Sequence, residues 1–292
     1  MAGFSVSSIR DREGPEGCSA GRNAGPHRKV GSGMAERDGI LEGRQRWRRL
    51  LFLHWPVAPA AVRPAVPREL ALDLREGMAW VGIVAFDVAG ARPPFAPAPL
   101  GLDFLETNAR TYVRLPGGAP AVWFFSLDAA SRLAVAGARL AYGLPYHAAR
   151  MAREREDDGV EVYRTVRRGP RAPGLEVRYR TGGERGTAAR GSLDAFLIER
   201  YVLHTVRRGR VGTVRVVHEP YPLRHVEVRS VSEDLLAAAG IERPDAPPLA
   251  HWSDGVDVDV RRVVAVPSLA DFQARARAPH AEPATARYLS RI

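Results

Sequence analysis

The chain reads as a mainly β protein, an antiparallel β-barrel or strongly bent sheet with one helix near 129–141 packed against it. Three observations predict this. About ten apolar segments show two-residue alternation or unbroken β-type runs, several of them bounded by Pro and Gly. The long strand–helix alternation of a parallel sheet is absent. One passage, WFFSLDAASRLAVAGARLAYGLPYHAARM at 123–151, switches from strand to helix to strand with a marked start and stop.

Leu50–Val57 reads as the first strand, ended by Pro56 and Pro59, and Leu70–Leu74 as the second. Met78–Val88 is apolar on both alternating sets, as in a central strand covered on both faces. Four prolines between 90 and 100 make a loop placed to act as a lid. In Phe104–Leu115, Glu106, Asn108, Arg110, Tyr112 and Arg114 share one face, opposite Thr107, Ala109, Thr111, Val113 and Leu115. Ala121–Leu127 follows the turn Pro116-Gly117-Gly118. Asp128 then has the chemistry to cap a helix in which Ala129, Leu133, Ala136 and Leu140 share a face. Ala134, Gly137, Ala138 and Ala141 keep that helix thin, Gly143 ends it, and Pro145 forbids its continuation. Further strands are expected near 160–166, 174–181, 200–206, 213–218, 224–231 and 256–266, with a short helix at Leu235–Ala239 capped by Ser232-Glu233-Asp234.

Residues 1–45 lack an apolar period and read as a disordered extension, 46–276 as one domain, and 277–292 as a flexible tail. Met34 follows Gly-Ser-Gly, so the first 33 residues read equally well as sequence upstream of the true start. The net charge is +10, yet acidic residues are interspersed with the basic ones, and all but one of those, Lys29, are arginine. That scatter argues against a nucleic-acid partner. No apolar run nears the roughly 18 residues of a membrane span. A single cysteine, Cys18, fits a cytoplasmic location and rules out a disulfide framework within the chain. No HExxH, P-loop or GxGxxG pattern occurs, so neither a metal nor a cofactor is expected.

Five motifs in order, HWPV (54–57), MAWVGIVAF (78–86), LETNARTYV (105–113), FFSLDAASRLAVAGARLAYGLPY (124–146) and ERYVLHT (199–205), resemble the DUF2071 (YqjF-like) family over about 45–266. That family is grouped with the acetoacetate decarboxylase-like superfamily. The resemblance implies an acetoacetate decarboxylase-like β-barrel with a central cavity and a flanking helix, and oligomers, hence a homo-oligomer, are common in the superfamily. Acetoacetate decarboxylases carry Gly-x-Pro-Lys-Lys after the helix, the first lysine forming a Schiff base and the second lowering its pKa. The matching turn here is Gly143-Leu144-Pro145-Tyr146-His147, and Lys29 is the only lysine of the chain. Arginine stays protonated and cannot replace it. Schiff-base decarboxylation is therefore excluded, while Glu106 matches the superfamily's pocket glutamate.

Two functional readings follow. In one, an enzyme holds a small organic acid or carbonyl compound through Arg110, with Asn108, Tyr112 and His54 as further ligand contacts, and moves a proton with Glu106 and Tyr146 or His147. In the other, the same barrel binds an apolar acid without catalysis. Against both stands a solvated strand face at 106–112 and a packing role for His54. Tyr146 and His147 are adjacent, so only one can face the cavity squarely. Alignment with the lysine turn selects Tyr146, and the apolar set of His147, Ala149 and Met151 selects His147. Glu199, Arg200 and His204 read as a structural ion-pair cluster. Two or more titratable groups converging within hydrogen-bond reach would favour the enzyme.

Overall fold

A computed structural model describes residues 41–265, apart from Arg171, Arg208 and Gly209. The expected extension over 1–40, with Cys18, Lys29 and Met34, and the tail at 277–292 lie outside the described residues. In chain order the strands are β1 (Leu41–Val57), β2 (Ala71–Leu72), β3 (Ala79–Arg92), β4 (Leu102–Arg114), β5 (Pro120–Ala129), β6 (Tyr146–Arg155), β7 (Glu161–Arg167), β8 (Gly174–Gly186), β9 (Val202–Arg207), β10 (Arg210–Val217), β11 (Leu223–Glu233) and β12 (Leu249–Ala265). Three helices accompany them: α1 (Pro59–Val62), α2 (Arg132–Tyr142) and α3 (Leu193–Ile198). The first strand begins at Leu41, within the segment expected to be extension.

All the strands join one sheet that closes on itself twice, so the expected barrel-like architecture is present. One ring runs β12-β1-β3-β4-β5-β9-β10 and closes through β10–β12. A larger ring leaves β5 for β6, β7, β8 and β11 before returning to β12. Pairing is antiparallel except at β5–β6 and β5–β9, where strands run parallel. The helix α2 is the crossover that makes β5 and β6 parallel, one strand–helix–strand unit inside a mainly antiparallel sheet.

The strands common to both rings separate two cores. On β1, Leu50 and Phe52 point into the smaller ring, and Leu51, Leu53 and Trp55 into the larger. On β3, Val84 and Phe86 oppose Ile83 and Ala85 in the same way. Two-residue alternation explains the doubly apolar β3: each set is buried, but in a different core.

Several local expectations are corrected. Asp128 does not cap α2; it lies inside β5, fully buried, where Arg167 grips both its oxygens at 2.7 and 3.0 Å. The cap is Ser131, whose hydroxyl accepts from the Ala134 amide at 3.2 Å, so the helix starts at Arg132 and not at 129. Gly143 ends it in the left-handed conformation, at φ 65°. Leu133 and Leu140 do not pack against the sheet: they are 68% and 77% exposed. Ala134, Gly137, Ala138 and Ala141 line the cavity instead, small side chains that leave it open, and Val135 is the buried residue of the helix. The helix expected at 235–239 is one tight turn, Ala237–Ala239, closed by Gly240. None of the helices among the described residues is long and apolar enough to cross a membrane.

Candidate functional site

The smaller ring encloses a cavity of about 330 Å3 roofed by α2. Its wall is mainly apolar, with Leu50, Phe52, Phe86 and Phe124 prominent. Polar groups enter it chiefly from β4, whose even-numbered residues turn inward: Glu106, Asn108 and Arg110, each less than 9% exposed.

The Glu106 backbone is fixed between β3 and β5, opposite Phe86 and Ala129. The Tyr163 hydroxyl donates to its carbonyl at 2.9 Å, and Thr107 bonds Thr165 at 2.7 Å on the far side of the strand. Its carboxyl projects into the cavity and accepts from the Tyr146 hydroxyl at 2.9 Å. Burial raises the Glu106 pKa to about 8; the Tyr146 hydrogen bond opposes this, and the nearby Asp128 carboxylate adds to it. The carboxyl is therefore mostly protonated at neutral pH. Burial and the Glu106 carboxyl push the Tyr146 phenol well above its ordinary range, so it stays a donor.

Arg110 forms the other polar end. Its Nη2 donates to the Leu197 carbonyl at 3.1 Å, and its guanidinium lies 5.6 Å from the Phe52 ring and 5.7 Å from that of Tyr112. Its Nε is buried without a hydrogen-bond partner, as is Oδ1 of Asn108. Among the described residues no carboxylate lies within ion-pair distance of Arg110. Arg200 comes up beside it from below. Its Nε donates to the Phe196 carbonyl at 2.6 Å, and its Nη1 to Asp73 at 2.7 Å; Asp73 also takes Arg114 at 3.0 Å. The last carbonyls of α3 thus hold both cavity arginines, which is favourable at the negative end of a helix.

The other candidates divide clearly. Tyr146 lines the cavity and His147 does not: consecutive strand residues point to opposite faces, and His147 sits half-buried beside Asp128 and Arg167. Burial, then the Arg167 charge, lowers the His147 pKa. Tyr112 lies under the floor, its hydroxyl donating to Leu197 at 2.8 Å. His54 is fully buried below it, among Phe52, Tyr112 and His251, and does not reach the cavity. Burial holds its pKa well below the ordinary value, so it is neutral. Sequence reasoning missed the helix α3 and the cavity positions of Arg200 and Tyr221. Ser192 before Leu193-Asp194 was the available signal: its hydroxyl caps Ala195 at 3.1 Å. Among the described residues no group of three or more His, Cys, Asp or Glu is placed to hold a metal ion.

Residues 44–257 match the family DUF2071, described as an uncharacterized conserved protein. The chain belongs to the DUF2071 family. It is 37% identical over 222 residues to uncharacterized protein YqjF of Bacillus subtilis strain 168, covering 76% of this chain and 91% of that one. Solved structures similar to this DUF2071 chain share the decarboxylase-like fold at low identity. An acetoacetate decarboxylase-like enzyme from Sphingomonas wittichii RW1 superposes with TM-score 0.54 at 12% identity, over 79% of this chain and 95% of that one. The enduracididine biosynthesis enzyme MppR, complexed with pyruvate, gives 0.55 at 11%, over 77% and 91%. Acetoacetate decarboxylase from Legionella pneumophila gives 0.53 at 12%, over 77% and 87%. These likenesses establish the fold of the DUF2071 chain.

Proposed function

We propose that the cavity binds a small organic acid or carbonyl compound and performs proton transfer on it without a Schiff base. The observation that carries this is Arg110: a buried cation with a free Nε, opening into an apolar cavity and lacking a carboxylate partner among the described residues. A buried charge is costly unless paired, and a ligand carboxylate would complete it through paired hydrogen bonds. Asn108, beside Arg110 on the same face of β4, offers its amide to the same ligand.

Glu106 supplies the chemistry. In its neutral form it gives a proton to the developing negative charge of the bound compound, and as carboxylate it takes one back, which is the work of a lyase or isomerase. Tyr146 orients it and stabilises its ionised form. Two titratable groups within hydrogen-bond reach favour this over a barrel that only binds. The residues 41–265 hold no lysine, so no Schiff base enters the scheme. MppR, similar in fold, has been solved in complex with pyruvate, an oxo acid of the size proposed.

The test is deuterium exchange. Small 2- and 3-oxo acids are screened for binding by calorimetry, and binders are incubated with the protein in deuterated water and followed by NMR. Glu106→Gln is expected to keep binding but slow exchange at least 100-fold, and Arg110→Ala to abolish binding. Equal exchange by Glu106→Gln would overturn the catalytic role. Binding without any exchange by the wild type would favour the binding-only barrel, and undiminished binding by Arg110→Ala would remove the assigned anchor.

A further inference from the structure

Tyr221 lies in the cavity wall, only 3% exposed, and its phenol has no part in the proton transfer assigned to Glu106. It sits in the short segment between β10 and β11 with Pro220 and Pro222 on either side, which stiffens the backbone there. Glu199 pins that segment: one carboxylate oxygen accepts from the Tyr221 amide at 3.1 Å, and the other from the Tyr201 hydroxyl at 2.5 Å. The ring is held as well, with His218 4.6 Å from it and Phe52 meeting it edge-on at 5.3 Å. Only the hydroxyl is left over. It has no hydrogen-bond partner among the described residues and opens on the cavity.

The surroundings of that hydroxyl specify what would complete it. Phe52 is a shared contact, because the Arg110 guanidinium lies 5.6 Å from the same ring. Burial raises the Tyr221 pKa and the Arg110 charge opposes the rise, so the phenol stays a donor within the field of that guanidinium. Phe52, Val84 and Asn108 are partners in one row across β1, β3 and β4, and Asn108 Oδ1 is unpartnered there, as is Arg110 Nε. Unpaired polar groups therefore gather at one end of an apolar cavity. A carboxylate carries lone pairs on two oxygens and can accept from Arg110 and Tyr221 together. A neutral carbonyl compound brings neither the charge nor the second oxygen. Glu106 is two residues from Asn108, roughly 7 Å along β4, so a ligand that reaches from this end to Glu106 is a small one.

We propose that Tyr221 is a second anchor of the cavity, donating to the same ligand carboxylate that Arg110 holds. This rests on the reading of the cavity given above and narrows its ligand from an acid or carbonyl compound to the acid. Arg110 supplies the charge, and Tyr221 supplies one directed hydrogen bond from a rigid support.

The test is isothermal titration calorimetry on the full chain with pyruvate, 2-oxohexanoate and hexanoate, each beside its neutral amide. At least one acid is expected to bind tenfold or more tighter than its amide. Tyr221→Phe keeps the ring and its packing, and is expected to weaken that acid about tenfold and the amide no more than about threefold, since a charged acceptor makes the stronger hydrogen bond. Its melting temperature is expected to stay within about 2 °C of the wild type or to rise, because the oxygen removed has no protein partner. Undiminished affinity of Tyr221→Phe for the acid, with binding lost in Arg110→Ala, overturns the second anchor and leaves the cavity reading standing. Equal affinity for acid and amide in the wild type, or a clear fall in melting temperature in Tyr221→Phe, overturns it too. If none of the acids binds the wild type, the cavity reading fails and the anchor fails with it.

Discussion

Tyr146 donates to Glu106 across the cavity at 2.9 Å, and it reaches there because α2 returns the chain parallel to β5 with Leu127 opposite Tyr146. The bond favours the charged carboxylate, so removing it moves Glu106 further from its ordinary value. Tyr146→Phe is expected to raise the Glu106 pKa above about 8. Carbon-13 NMR of the labelled carboxyl across pH 5 to 10 reads this directly. A value unchanged or lower would show that Tyr146 does not act on Glu106.

Stability should carry the same signature. The Glu106 pKa is raised in the folded protein from 4.5 to about 8, so the folded state holds more protons than the unfolded state between those values. Its contribution is therefore full below 4.5 and is lost as pH climbs to 8. Glu106→Gln, which cannot ionise, is expected to remove that slope. Urea unfolding at pH 5, 6.5 and 8.5 checks it: the difference between wild type and variant must shift in favour of the variant by a few kcal/mol as pH rises.

The capping role expected of Asp128 falls to Ser131, and mutation separates the two. Asp128→Ala leaves Arg167 beside an empty buried site and is expected to cost about 3 kcal/mol. Ser131→Ala removes a helix cap and is expected to cost about 1 kcal/mol. Denaturant midpoints at constant m-value give both. Equal, small losses would mean that Asp128 holds only the helix end.

Gly137 sits on the cavity side of α2, where an added Cβ meets no atom within 4 Å. Gly137→Ala is expected to stabilise by about 0.5–1 kcal/mol through helix propensity alone. Gly137→Phe projects a ring into the cavity and is expected to fold but to lose ligand affinity by more than tenfold. Thermal unfolding and calorimetry with any bound acid measure the pair, and full affinity in Gly137→Phe would place the ligand elsewhere.

Much of this was readable from residue order. The alternation of β4 separated Glu106, Asn108 and Arg110 from Thr107 and Ala109, and that division is the one between cavity and second core. What alternation cannot say is whether a polar face meets water or a cavity, since both reward the same residue types. The helix α2 was placed within three residues, and the small residues expected to bring it close to the sheet line the cavity. A rule that turns large apolar residues inward fails where the space below is kept empty. The six-residue α3 was missed because it is too short to show a helical period, and with it went Arg200, whose partners Asp73 and Phe196 come from distant and local chain respectively.

The wall shared by the two rings separates durability from chemical repertoire. Residues such as Leu51, Ile83, Ala109 and Val113 pack in the larger ring, and the residues that alternate with them line or support the cavity. Substitutions on one set leave the other's packing in place. A side chain that faces the cavity can therefore be exchanged while the packing of the larger ring stays in place. Chains that differ along the cavity wall need not differ in how firmly they hold together.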